Sequence, residues 1–208
     1  MNIILIAPPA AGKGTQSELI CNHYNLEHLS TGDLLREVTK QDNEKSREIK
    51  ELMNQGALIS DDIILSLIED KMKDDKGFVF DGFPRNLNQA KSLNLLLEKL
   101  NKKIDYIIYL KVDKEIASAR IAGRYVCPKC NGVYNLKDTD DKICQNCGEE
   151  LIKRKDDNVE VFNNRYDVYM SETFPVINYY NSLDNFYEVD SSKKPEEVFD
   201  DIKNIIGE

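Results

Sequence analysis

Apolar residues along this chain recur with two periods, and the alternation between them outlines a fold. Ile3 to Ile6 and Phe78 to Phe80 are unbroken apolar runs, as strands buried on both faces require. Ile104 to Val112 and Phe186 to Val189 read as two further strands, in more mixed form. Helical spacing fills the intervals. Lys13 to Tyr24 places Leu19, Ile20 and Tyr24 on one face, with Cys21 beside them as a small hydrophobe. A short segment, Leu26 to Leu29, leads into Ser30-Thr31, where either hydroxyl can cap the next helix. Residues 44–55 suit a helix ended by Gly56, and Ser60-Asp61-Asp62 opens another. Helices are also expected over 88–100, over Ala117 to Ala122 behind an Asp113 cap, and from Val159 to Ser182 with an aromatic stripe. Pro195 starts a closing helix whose buried face is Val198, Phe199, Ile202, Ile205 and Ile206. Alternating strands and helices predict an α/β fold, a parallel sheet with helices on both faces.

The first strand runs into Ala7-Pro-Pro-Ala10-Ala11-Gly12-Lys13-Gly14-Thr15. Strand, tight Gly/Pro/Ala loop and helix, with Lys and Thr at the junction, is the layout of a phosphate-binding loop. Backbone N–H groups and the helix N-terminus face the phosphates, and Lys13 adds a point charge. The usual first glycine is Ala7 here, so an ordinary strand–turn–helix is the competing reading of the loop by itself. Asp81, at the C-terminal end of the second buried run, lies where open parallel sheets bind their ligands.

Composition narrows the classes. With 41% hydrophobic and 31% charged residues, the chain has the make-up of a soluble globular protein. No apolar run reaches the roughly 20 residues that cross a bilayer. A strand that begins by residue 3 leaves no room for a signal peptide, so a cytoplasmic setting is expected. A net charge of −9 argues against a general nucleic-acid or membrane-surface binder. An anionic ligand must then be held by a local cluster. The cations are 21 Lys and only seven Arg, which makes each arginine informative, because a planar fork is needed where phosphate is gripped.

Between residues 124 and 158 the helical period gives way to turns, charges and Cys127-Pro-Lys-Cys130 with Cys144-Gln-Asn-Cys147. Two Cys-x-x-Cys knuckles separated by 13 residues point to one four-thiolate zinc. Two disulfides, the other reading, suit a cytosolic chain poorly. Four thiolates leave no open coordination position, so such a zinc is structural.

The motifs Ala-Pro-Pro-Ala-Ala-Gly-Lys-Gly-Thr, Ser-Thr-Gly-Asp-Leu-Leu-Arg, Phe-Asp-Gly-Phe-Pro-Arg, Gly-Arg-Tyr-Val-Cys and Arg-Lys-Asp-Asp-Asn occur in that order along essentially the whole chain. Together they resemble the adenylate kinases, in the long bacterial form with a zinc-bearing lid. The resemblance implies a P-loop core (1–29, 60–121 and 160–208), an AMP-side flap (30–59), a zinc-binding ATP lid (122–159) and the reaction ATP + AMP ⇌ 2 ADP with Mg²⁺. It implies residue roles as well. Ala10, Ala11, Gly12, Lys13, Gly14 and Thr15 hold the ATP phosphates, and Arg120 stacks near the ATP adenine. Arg36 and Arg85 grip the AMP phosphate beside Gly82, while Thr31 and Gln89 face the AMP adenine. Arg124 and Arg154 close from the lid, Arg165 approaches from the helix beyond it, and Asp81 orders the waters of Mg²⁺. Asp156 and Asp157 anchor the lid arginines. Arg47 alone among the arginines falls outside these positions.

Two alternatives differ in class. A UMP/CMP kinase shares the loop and the Gly-Phe-Pro-Arg turn, but usually has Ala at the Thr31 position, Asn at the Gln89 position and a short lid. A catalytically impaired nucleotide sensor with the ribbon as a docking module is the other; residues 124–158 show no basic stripe with interleaved aromatics to support it. ATP, AMP and ADP are the expected partners, nucleic acid and membrane are not, and nothing in the chain demands more than a monomer.

Overall fold

The computed structural model describes residues 1–40, 46–47, 49–51, 59–73, 76–130, 132–136, 141–153 and 157–207, with the backbone alone for Asp33 and Arg36. Five parallel strands form the central sheet: β1 (Asn2–Ile6), β2 (Glu27–Ser30), β3 (Phe78–Asp81), β4 (Tyr106–Lys111) and, last in the chain, β7 (Phe186–Asp190), in the spatial order β2-β3-β1-β4-β7. β1 lies in the middle, with Ile3 opposite Val79 on one side and Tyr106 on the other. Its neighbours on the two sides come from different halves of the chain, so the C-terminal end of β1 is a topological switch point, where such sheets bind ligands.

Alternation along each strand divides the core into two layers. Ile4, Ile6, Phe78, Phe80, Ile107 and Tyr109 pack on one face against α3 (Asp61–Lys71), α4 (Leu87–Lys99) and α7 (Phe174–Tyr180). Ile3, Leu5, Val79, Ile108 and Leu110 pack on the other against α1 (Lys13–Tyr24), α5 (Lys114–Ala122), α6 (Val159–Val168) and α8 (Pro195–Ile206). Side chains that point alternately up and down are both buried, which is why these strands read as continuous apolar runs. A smaller cluster of Leu35, Ile49 and Ile59 joins α2 (Thr31–Val38) to α3. In the cysteine-rich region β5 (Arg124–Val126) and β6 (Val133–Asn135) pair antiparallel.

Three local expectations change. Leu26 to Leu29 overlaps β2, an edge strand whose single neighbour and partial exposure leave no apolar run to read. The helix expected from Val159 to Ser182 is interrupted by a π turn at Tyr169–Thr173. Pro175, in the first turn of α7, lacks an N–H and would crowd the carbonyl four residues back, so the turn widens there. Thr31 does not serve as a cap; its Oγ1 donates to the Gly82 carbonyl at 3.2 Å. Of the helix expected over 44–55, Ser46, Arg47 and 49–51 are helical, and the remaining positions, Gly56 among them, lie outside the described residues.

Candidate functional site

The loop after β1 turns back on itself through a hydrogen bond from the Ala11 N–H to the Pro8 carbonyl, 3.3 Å. Gly12 stands at the N-cap of α1 with φ 87°, a conformation glycine adopts without steric cost. The first N–H groups of α1, at Lys13, Gly14 and Thr15, stand in its first turn and have no helical carbonyl to bond, as at any helix N-terminus that receives an anion. Ala10 has φ 62°, the left-handed region, where a Cβ costs roughly 1–2 kcal/mol. Ala7, at the end of the strand, is not among the positive-φ residues. Ser191, just past β7, donates its hydroxyl to the Ala11 carbonyl, and Gln16 Nε2 donates to the Pro195 carbonyl at 2.9 Å. The loop is thus tied to the segment that enters α8.

Parallel pairing carries Asp81, at the end of β3, alongside this loop. One of its oxygens lies 2.7 Å from Lys13 Nζ; the other lies 2.9 Å from His28 Nε2 and accepts from Ser17 Oγ at 3.4 Å. Burial by itself would push this carboxyl up. The Lys13 charge, and after it the His28 hydrogen bond, outweigh burial and hold Asp81 well below the usual carboxylate range.

The turn after Asp81 sets Arg85. Gly82 has φ 78°, and a Cβ there would come within 2.9 Å of Arg85 Nη2. Arg85 Nε donates to the Gly82 carbonyl at 2.8 Å, its backbone N–H donates to Gln89 Oε1 at 2.7 Å, and its carbonyl accepts from Thr173 Oγ1 at 2.9 Å. Desolvation lowers the Arg85 guanidinium from the ordinary arginine value; Asp81 opposes this, and Arg165 adds to it by like-charge repulsion. Two repelling guanidiniums beside an anion-ready loop form a site that a polyanion relieves. Gln89 is buried, not solvated: Asn86 Oδ1 caps α4 at its N–H, and its own Nε2 donates to Asp61 Oδ1 at 2.7 Å.

Of the other arginines, Arg124 opens β5, Arg120 stands in α5 and Arg165 in α6. Arg124 makes a two-point contact with Asp157, Nε donating to Oδ2 at 2.8 Å and Nη2 to Oδ1, and the Asp157 side chain is buried. Arg120 Nη2 reaches the Ser192 and Lys193 carbonyls at 3.2 and 3.3 Å, next to the segment that supports the loop. Arg154 and Asp156 lie outside the described residues, as does the Arg36 side chain. A groove lined by Met1, Lys103, Tyr106 and Tyr187 opens at the opposite end of the sheet and holds none of these groups.

Cys127, Cys130, Cys144 and Cys147 place all four sulfurs within 4.8 Å of one another. Cys127 and Cys147 sulfurs are 3.4 Å apart, and those of Cys130 and Cys144 are 3.5 Å apart. Four thiolates about 2.3 Å from a tetrahedral zinc sit roughly 3.8 Å from one another, so the cluster has the right size for one such ion. The Cys130 N–H points at the Cys127 sulfur, 3.4 Å away, as in a knuckle that stabilises thiolate. The fifth cysteine, Cys21, lies apart in α1, where burial, helped by Asp81, pushes its thiol up to about 11.

A doubly wound parallel sheet, with a lysine-bearing loop at its switch point and an acidic strand end beside that loop, defines a protein of the P-loop class. A profile of the adenylate kinase family matches residues 5–185. Curated adenylate kinases of Fervidobacterium nodosum and Kosmotoga olearia are each 41% identical, covering 100% and 99% of this chain and 98% and 100% of their own. One from Lachnoclostridium phytofermentans is 42% identical, over 100% of this chain and 98% of its own. The chain belongs to the adenylate kinase family.

Sequence reading missed several partners of the site, Asp61 beside Gln89 among them. His28 offered one signal, being one of only two histidines. Ser17, Ser191 and Thr173 offered none, since isolated hydroxyls are common and their targets lie 64, 180 and 88 residues away.

Proposed function

We propose that this chain catalyses ATP + AMP ⇌ 2 ADP with the residue roles that its motifs suggest. The observation that carries the reading is the convergence of the Lys13 loop, Asp81 and the Arg85 turn at the C-terminal edge of one sheet. The loop amides and Lys13 hold the donor's phosphates, which compete with Asp81 for the lysine ammonium. Arg85, with Arg36, grips the acceptor phosphate, and Thr31 and Gln89 flank the acceptor base. Arg124, Arg154 and Arg165 face the transferring group, and Arg120 lies against the donor base.

An oxygen of the acceptor phosphate attacks the terminal phosphorus of ATP in line; the bond to the bridging oxygen breaks, and that oxygen leaves on ADP with the electron pair. The attacking oxygen is already anionic, so no general base is required, and alignment and positive charge lower the barrier. Mg²⁺ bound with the nucleotide would supply further charge neutralisation, held through the ionised Asp81 and the Thr15 hydroxyl. The flap (30–59) and the lid (122–159) close over the core (1–29, 60–121, 160–208) and exclude water as a competing acceptor. The four cysteines hold a structural zinc. Since thiolate sites persist in reducing compartments and every proposed site residue comes from one chain, we read the enzyme as a cytoplasmic monomer.

Steady-state ADP formation from ATP and AMP with Mg²⁺ tests this. AMP should be preferred strongly over CMP and UMP, and Lys13→Met should abolish turnover. Preference for CMP would move the chain to the sister kinases, and nucleotide binding without turnover would support the sensor.

A further inference from the structure

Gln89 is held at both ends of its amide, and the chemistry of its two partners allows only one orientation. Oε1 accepts from the Arg85 backbone N–H at 2.7 Å, and Nε2 donates to Asp61 Oδ1 at 2.7 Å. Turning the amide over would set its oxygen against a carboxylate and its NH₂ against an N–H, so both contacts would become repulsive. Gln89 is 6% exposed, so water offers little compensation for a lost partner. Asp61 is the first residue of α3 and Gln89 stands in the first turn of α4, so the bridge also joins two helix N-termini.

An amide has two lone pairs on oxygen and two hydrogens on nitrogen. Arg85 and Asp61 take one of each. One acceptor and one donor remain, in a fixed order. That pair complements a base edge with an exocyclic NH₂ beside an unprotonated ring nitrogen, as in adenine. It mismatches the inverted edge of hypoxanthine, a purine of nearly the same shape with a ring N–H beside a carbonyl.

We propose that Asp61 is a specificity-determining positioning residue. By fixing the Gln89 amide, it selects acceptor bases with an amidine edge and rejects those with the inverted edge. The inference rests on the reading of Gln89 as base-facing. Asp61 itself touches neither substrate nor the reacting atoms.

The test compares AMP with inosine monophosphate as acceptors, by kcat/KM, in the native enzyme and in Asp61→Asn, Asp61→Ala and Gln89→Ala. The Asp61→Asn change keeps the size and one acceptor, but the new side-chain amide can turn over together with that of Gln89. Asp61→Asn should therefore lower the AMP-over-inosine-monophosphate ratio by roughly three- to tenfold, the worth of one hydrogen bond, while KM for AMP and KM for ATP stay within about twofold. Asp61→Ala should lower the ratio similarly and also raise KM for AMP. Gln89→Ala should abolish the preference, and adding an Asp61 substitution to it should change the ratio no further. A full ratio in both Asp61 variants, with the preference lost in Gln89→Ala, overturns the proposal and leaves the base-facing reading standing. No preference in the native enzyme, or a preference that survives Gln89→Ala, overturns both. If Asp61→Ala unfolds, the conservative Asp61→Asn decides the matter.

Discussion

The sheet and the cysteine-rich segment are both built around strands, yet they are held together by different means. In the sheet Ile3, Ile4, Phe78, Val79 and Phe80 are all 0% exposed, and each strand feeds two apolar layers. In the segment the interior consists of Tyr125, Cys127, Cys144 and Leu151, with Tyr134, Leu136 and Cys147 half-buried around them. Val133, Ile143 and Ile152 stand about half exposed, at 51%, 52% and 50%. Burial of apolar surface is enough to order the sheet. The segment has too few apolar residues for that, and its sulfurs occupy the place of a core. Its four sulfurs could be drawn together by one ion.

Removing the metal should give the largest effect and break the comparison most directly. Metal analysis of the native protein should find one zinc per chain. Chelation after thiol modification should abolish hydrogen-exchange protection across 124–153 and with it most activity, while protection of β1, β3 and β4 persists. Loss of protection in the sheet as well would show that the two regions are one cooperative unit. The converse perturbation is Phe80→Ala, which should destabilise the sheet by about 3–5 kcal/mol in chemical denaturation and leave the zinc content at one.

A smaller effect separates electrostatics from burial within the site. Asp81 is held below the unfolded carboxylate value of about 3.9. Its contribution to stability is thus present above that value and lost as pH falls through the lower, folded one. Asp81 should stay ionised at pH 3.5, as followed by carboxyl NMR. In Lys13→Met burial would lose its chief opponent, and the titration should move upward. A midpoint unchanged by that substitution would show that His28, not Lys13, sets it.

The smallest expected effect concerns Ala10. Ala10→Gly relieves a left-handed φ of 62° and should improve nucleotide affinity by about 1 kcal/mol, read by calorimetry. Ala7→Gly should do less, because Ala7 is not in that region. A thousandfold rescue of an otherwise silent enzyme would mean that the methyl blocks phosphate and that the native chain is a sensor.

Features that depend on near neighbours were open to reading from the chain. Apolar runs marked β1 and β3 because both faces are buried. Lys13 and Thr15 marked the loop because strand, turn and helix follow within about 15 residues, and the four cysteines announced their cluster by spacing. By contrast, β2 was hidden by its edge position, and the π turn at Tyr169–Thr173 by an aromatic stripe that continues across it.

Local order thus determined what kind of group stands where: a phosphate loop, paired cysteine knuckles, arginines spaced along the chain. Which groups meet was decided by the parallel sheet, which brings strand ends together regardless of their separation in sequence. His28 meets Asp81 across 53 residues, Gln89 meets Asp61 across 28, and the Ser191 hydroxyl reaches Ala11 across 180. Gln89 and Ser191 are shut away from water by packing, where an unpaired donor or acceptor is costly, while His28 reaches the largely buried Asp81 from the exposed side. Their partners are chosen by the packing, and no run of neighbouring residues encodes that choice.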